Sequence, residues 1–173
     1  IIPCGIDTSV FRPLDKDECR RILGLNKNRY VLFCGNPDVR VKNYDLALKS
    51  FNRLETNAEF SVKMLPLKGY KHNEVPILLN AVDVLLITSH HEGSPMIVKE
   101  AMACNTPIVS VDVGDVKERL INIDGCYVTK NRPEDIAESL LKVLKSNVKI
   151  NSRAHVLNLD LVEINQQILD IYK

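Results

Sequence analysis

Two carboxylates dominate the chemistry this sequence can offer. Glu92 and Glu100, with seven residues between them, lie in the run 89–107, SHHEGSPMIVKEAMACNTP. A helix is predicted over 95–104, with Pro95 at its first position, where the missing N–H costs nothing and φ is already helical, and with Ser94 as its N-cap. Gly93 lets the backbone come close to a ligand. The free N–H groups of Met96 and Ile97, at the positive end of the helix dipole, then form an anion site suited to phosphate. Glu100 stands roughly 7–8 Å beyond Pro95 at 1.5 Å per residue. The two acids thus straddle a ligand about as long as a sugar diphosphate plus ribose. A carboxylate accepts two hydroxyl hydrogen bonds at once, so Glu100 suits a vicinal ribose diol and Glu92 suits hydroxyls beyond the phosphates. The competing reading makes Glu100 a solvated helix residue and Glu92 a helix-terminus charge.

Lys42 opens the helical stretch 44–54 and is a sensible point charge for phosphate, although an ordinary surface lysine would look the same. His90 and His91 adjoin Glu92, yet nothing pairs them with a nucleophile, and His72 and His155 read as surface residues. The five cysteines, Cys4, Cys19, Cys34, Cys104 and Cys126, show neither C-x-x-C nor Cys/His ligand spacing. They indicate a reducing compartment, with Cys34 and Cys104 as small core residues. No Asp-x-Asp motif is present, and no metal site is expected.

The elements that must position these groups alternate. Runs 30–34 (YVLFC), 60–65 (FSVKML), 82–88 (VDVLLIT), 107–111 (PIVSV) and, more weakly, 126–129 (CYVT) read as strands buried on both faces. Helices are expected over 44–54, 75–81, 95–104, 116–121, 133–144 and 159–172. The alternation predicts an α/β fold, a Rossmann-like doubly wound parallel sheet with helices on both faces. Ligands bind such sheets outside the carboxyl ends of the strands, here just after Cys34, Leu65, Thr88 and Val111. The 173 residues suit a single domain, and residues 1–13, with Pro3, Gly5 and Pro13, read as a segment leading in from a preceding domain. With 23 basic against 22 acidic side chains the chain offers no electrostatic case for nucleic acid, and its apolar runs fall short of the ~20 residues of a membrane span.

The pattern Glu92–Glu100 in EGSP…KEAMACNTPIV resembles the donor-binding half of retaining glycosyltransferases of family 4, which have the GT-B fold. IPCGID with Phe11 and Pro13, Lys42-Asn43, AVDVLLITS and VGDVKE match other stretches of that family in order, so the resemblance covers essentially the whole chain. It implies a single C-terminal domain, residues 1–173, that binds a nucleotide-diphosphate sugar as donor substrate without a cofactor. In it Lys42 and the backbone of Gly93, Ser94, Met96 and Ile97 hold the diphosphate, Glu100 the ribose and Glu92 the transferred sugar. The family commonly carries an arginine after the first-strand glycine. This chain has Asn36 there, and Arg40 is the nearest cation to replace it. Asn105 stands where a glycine is usual, and the short stretch 66–75 is the expected site of base recognition.

The resemblance further implies a glycan or lipid-linked acceptor held by a missing N-terminal domain, and a cytoplasmic location peripheral to the inner membrane face. Two alternatives remain: a non-catalytic nucleotide-sugar binding module, and a dinucleotide-dependent oxidoreductase. The second lacks the Gly-x-Gly-x-x-Gly turn, since Gly35-Asn36-Pro37 follows the first strand.

Overall fold

The computed structural model describes residues 2–146 and 148–172. Ile1 and Lys173, the ends of the expected domain, lie outside the described residues. Strands β1 (Arg29–Phe33), β2 (Val62–Pro66), β3 (Val84–Ile87), β4 (Ile108–Val111) and β5 (Tyr127–Thr129) form one sheet in the order β2-β1-β3-β4-β5, every pair parallel. The register pairs Leu32 with Leu85 and Leu86 with Val109. Residues of β3 and β4 are buried throughout, whereas edge strand β5 is half-buried. That gradient explains why the central strands read as continuous apolar runs and the last one only faintly.

Helix α1 (Lys16–Ile22) precedes β1, and α2 (Tyr44–Asn57), α3 (Val75–Ala81), α4 (Met96–Ala103) and α5 (Val116–Leu120) connect successive strands. Helix α6 (Pro133–Lys145) follows β5, and α7 (Leu161–Ile171) ends the fold. Right-handed crossovers in this strand order put α2 on one face and α3, α4 and α5 on the other. Helix α6 packs on α2 and on the sheet, burying Ile136, Leu140 and Leu144, and α1 packs on α3. The order reverses between β1 and β3: the chain leaves β1 toward one edge and β3 toward the other. In doubly wound sheets ligands bind at such a point, beyond the carboxyl ends of the two strands.

Several expectations shift. Helix α4 begins at Met96, with Pro95 as N-cap and no side-chain cap, so Ser94 is not the cap. Its hydroxyl donates instead to Asp115 Oδ2 at 2.7 Å. Helix α1 was not anticipated, because KDECRRI buries only Cys19. Asp83, buried at the opposite end of the sheet, holds it by accepting from Lys16 at 2.6 Å, Arg20 at 2.8 Å and the Tyr30 N–H at 2.7 Å. The lead-in segment is built into the domain: Ile6 and Phe11 are buried, Ile6 N–H donates to Leu159 O, and Arg153 donates to the Thr8 and Phe11 carbonyls. Helix α7 starts at Leu161 rather than 159 and buries only Ile164. Its apolar residues Leu169 and Ile171 are exposed.

Candidate functional site

Two loops meet at the switch point. The first follows β1. Gly35 has φ +140°, and a Cβ there would lie 2.8 Å from Lys42 Cγ, so the absent side chain leaves room for the lysine stem to cross the strand end. Asn36 Oδ1 accepts the Asp38 N–H at 3.0 Å and its carbonyl accepts from Val39, closing a turn before the short 3-10 segment Arg40–Lys42. Asn43, in the left-handed region at φ 53°, then starts α2, and Tyr44 docks edge-on against Phe33 with ring centroids 5.0 Å apart.

The second loop follows β3 and is stitched to the first. The Thr88 hydroxyl is shared between the carbonyls of Lys42 at 3.0 Å and Asn43 at 3.1 Å, and His90 N–H donates to Val41 O at 2.9 Å. These bonds bring Lys42 Nζ to 2.7 Å from Glu92 Oε1, which also accepts from Ser89 Oγ at 2.7 Å. Burial alone would raise the Glu92 pKa, but the Lys42 ammonium and Ser89 hydroxyl outweigh it and hold the carboxyl below its usual range. Burial likewise lowers Lys42, and its bond to Glu92 more than offsets that. Both groups are therefore charged at neutral pH.

Gly93 and Ser94 are fastened to the turn after β4. Asp115 N–H donates to the Gly93 carbonyl at 3.1 Å, and Arg119 Nε and Ser94 Oγ both bond Asp115 Oδ2. The loop so held delivers the chain into α4, whose first-turn N–H groups at Met96 and Ile97 have no intrahelical partner. Glu100 is 9% exposed and its carboxylate accepts no hydrogen bond or ion pair from a described residue, so it is not the solvated helix residue of the competing reading. Burial raises its pKa, and His72 offsets this only partly. The charges of Lys42, Glu92 and Glu100 all act on the Cys34 thiol, which places the three around the carboxyl end of β1. Cys34 itself is buried as expected, and burial pushes its thiol up to about 12, so it stays protonated.

Arg40 is exposed and makes no ion pair with a described residue, so it is free to turn toward a ligand. His90, His91, His72 and His155 are exposed. Sequence reasoning gave no role to the Ser89 and Thr88 hydroxyls, and it noted Gly35 and the VGDVKE turn only as part of the resemblance, without the contacts they make. The only available signal was a hydroxyl three residues before Glu92, because the other contacts come from segments distant in sequence.

Residues 55–157 match the glycosyl transferases group 1 family, a span that contains both Glu92 and Glu100. The chain belongs to that family. Lys42 precedes the matched span. A D-inositol 3-phosphate glycosyltransferase of Actinosynnema mirum is 27% identical over 179 residues, covering 83% of this chain and 42% of that protein. The chain thus spans well under half of that relative's length. The Anabaena protein HepE, solved in complex with UDP and glucose, superposes with a TM-score of 0.76 at 20% identity, covering 97% of this chain and 55% of that one. The C-terminal domain of a group 1 glycosyl transferase, LpcC from Francisella tularensis, gives 0.67 at 16% identity, covering 95% of this chain and 98% of that domain. Both solved structures share the doubly wound fold seen here.

Proposed function

We propose that this glycosyl transferases group 1 chain is the C-terminal, donor-binding domain of a retaining GT-B enzyme of family 4. In this reading it moves a sugar from a nucleoside diphosphate to an acceptor hydroxyl, in polysaccharide or glycoconjugate synthesis. The observation that carries the reading is the Lys42–Glu92 pair, 2.7 Å apart, where the loops after β1 and β3 meet. The near-complete overlap with the Francisella C-terminal domain supports the domain assignment, and the UDP held by HepE supports a nucleotide donor.

The diphosphate rests on the Met96 and Ile97 amides and on Lys42, with Gly93 and Ser94 shaping the loop beside it. Asn36 and Arg40 stand in the loop after β1, Arg40 supplying the second cation. Glu100 accepts the ribose hydroxyls, and Glu92, with Oε1 taken by Lys42 and Ser89, offers Oε2 to the transferred sugar. As the bond from the anomeric carbon to the diphosphate oxygen breaks, the acceptor oxygen attaches from the same face and passes its proton to a departing phosphate oxygen. Lys42 and the helix N-terminus stabilise the leaving charge, and no divalent metal is called for. The acceptor, a glycan or lipid-linked sugar, is held by the preceding half of the enzyme, which works in the cytoplasm against the membrane.

Calorimetric titration with UDP, GDP and ADP tests this. One of the three is expected to bind, with affinity at least about tenfold weaker in Glu100→Ala, the loss of a charge-assisted hydrogen bond. Failure of all three, or binding indifferent to Glu100→Ala, would sink the reading.

A further inference from the structure

A cleft opens at the same carboxyl edge of the sheet, between β4 and β5. It is broadly open to solvent and offers about 460 Å³, within the range of small-molecule sites. Three strand ends wall it, with Ser89 and His90 after β3, Asp112 after β4, and Thr129 and Lys130 at the end of β5, while Lys117 reaches in from α5. Ser89 connects it to the donor site, since the same hydroxyl that borders this cleft bonds Glu92 Oε1 at 2.7 Å. A ligand group here therefore lies next to the carboxylate assigned to the transferred sugar.

The charges are unbalanced. Two ammonium groups face one carboxylate, and the Lys117–Asp112 contact, at 3.9 Å, is as loose as an ion pair can be. Lys130 makes no ion pair with a described residue. The neighbouring acids are committed elsewhere, Glu92 to Lys42, Asp115 to Arg119 and Asp135 chiefly to Arg132, with Lys130 only a lesser charge on Asp135. His90 also turns into this cleft, and the donor site gives it no role. Lysines on open walls act as point charges that suit a carboxylate or phosphate and demand no single geometry.

We propose that this cleft receives an anionic group, carboxylate or phosphate, borne on a sugar or polyol ring beside the reacting centre, with Lys117 and Lys130 as its cations and His90 as a hydrogen-bonding partner. Its place beside the reacting centre rests on the donor-site reading above. The charge can arrive on the transferred sugar, as a uronic acid, or on the acceptor, as a sugar phosphate.

Two pairs of probes separate these sources: UDP-glucuronate against UDP-glucose, and glucose 6-phosphate against glucose. Each is titrated into the chain and into a Lys117→Ala/Lys130→Ala variant, with UDP alone as control. The acidic member of one pair is expected to bind about fivefold tighter than its neutral counterpart, the scale of two screened surface ion pairs. The double variant should erase that preference and leave UDP affinity unchanged. A preference among the UDP-sugars assigns the anion to the donor, and one among the glucose compounds assigns it to the acceptor. Equal affinity within both pairs, or a preference that survives the double variant, overturns the proposal. Absence of UDP binding to the unaltered chain would instead overturn the donor-site reading, and the glucose 6-phosphate comparison would then decide the cleft by itself.

Discussion

A buried carboxylate that accepts no hydrogen bond costs stability, and Glu100 is such a group among the described residues, His72 offsetting only part of the cost. Its pKa is raised by burial above the ordinary 4.5, so the folded state disfavours the ionised form. The penalty is complete above the folded pKa and vanishes where both folded and unfolded chains are protonated. Glu100→Gln is accordingly expected to raise Tm by roughly 2–4 °C at pH 7. The gain should disappear near pH 4 or below, and nucleotide binding should weaken at both pH values; thermal melts at the two pH values check this. The Lys42–Glu92 pair behaves in the opposite sense. The Glu92 contribution is present above the ordinary 4.5 and is lost as pH falls through its lowered pKa. The Lys42 contribution is present below the ordinary 10.5 and is lost as pH rises through its raised pKa. The pair therefore holds from about pH 5 to about pH 10.

At the scale of elements, the site depends on how the loop before α4 is fastened. Gly114 has φ +56°, and a Cβ there would stand 2.2 Å from the Gly93 carbonyl oxygen and 3.1 Å from that of Glu92. Backbone on both sides cannot yield cheaply, so Gly114→Ala should push the 92–95 loop off the turn. The expected result is a loss of about 2 kcal/mol or more in a urea melt, from strain and from the broken Asp115–Gly93 bond, together with weaker nucleotide binding. Unchanged stability would show that the loop is free of the turn. The elements themselves were largely legible, because β1, β3 and β4 are buried on both faces and α2 and α6 carry a helical stripe. Helix α1 was not, since a charged segment held mainly by the Asp83 carboxylate leaves no apolar period to read. Ser94 looked like a cap because serine before proline suits that position, and only the fold brings Asp115 within its reach. The two glutamates could be found from their spacing, whereas the meeting of Lys42 with Glu92 depends on hydrogen bonds from the Thr88 hydroxyl and the His90 N–H that no local pattern announces.

For the molecule as a whole, the two ends of the sheet divide the work. The Asp83 cluster secures the end where the strands begin, and the carboxyl end carries both the candidate donor site and the neighbouring cleft. Strand order makes this division: reversal at β1 and β3 sends their connections to opposite faces, and the loops that follow the two strands meet at the carboxyl end. Among the described residues no helix is long and apolar enough to cross a membrane. The proposed function stands or falls on a diphosphate held at this edge by Lys42 and the first turn of α4. Titrating UDP and UMP into the unaltered chain and into Lys42→Ala tests it most directly. The unaltered chain should favour UDP over UMP, and Lys42→Ala should weaken UDP by roughly 10- to 100-fold, the scale of a charge-assisted hydrogen bond, while changing UMP far less. If Lys42→Ala binds UDP as tightly as the unaltered chain, the diphosphate does not sit there and the proposed function is wrong.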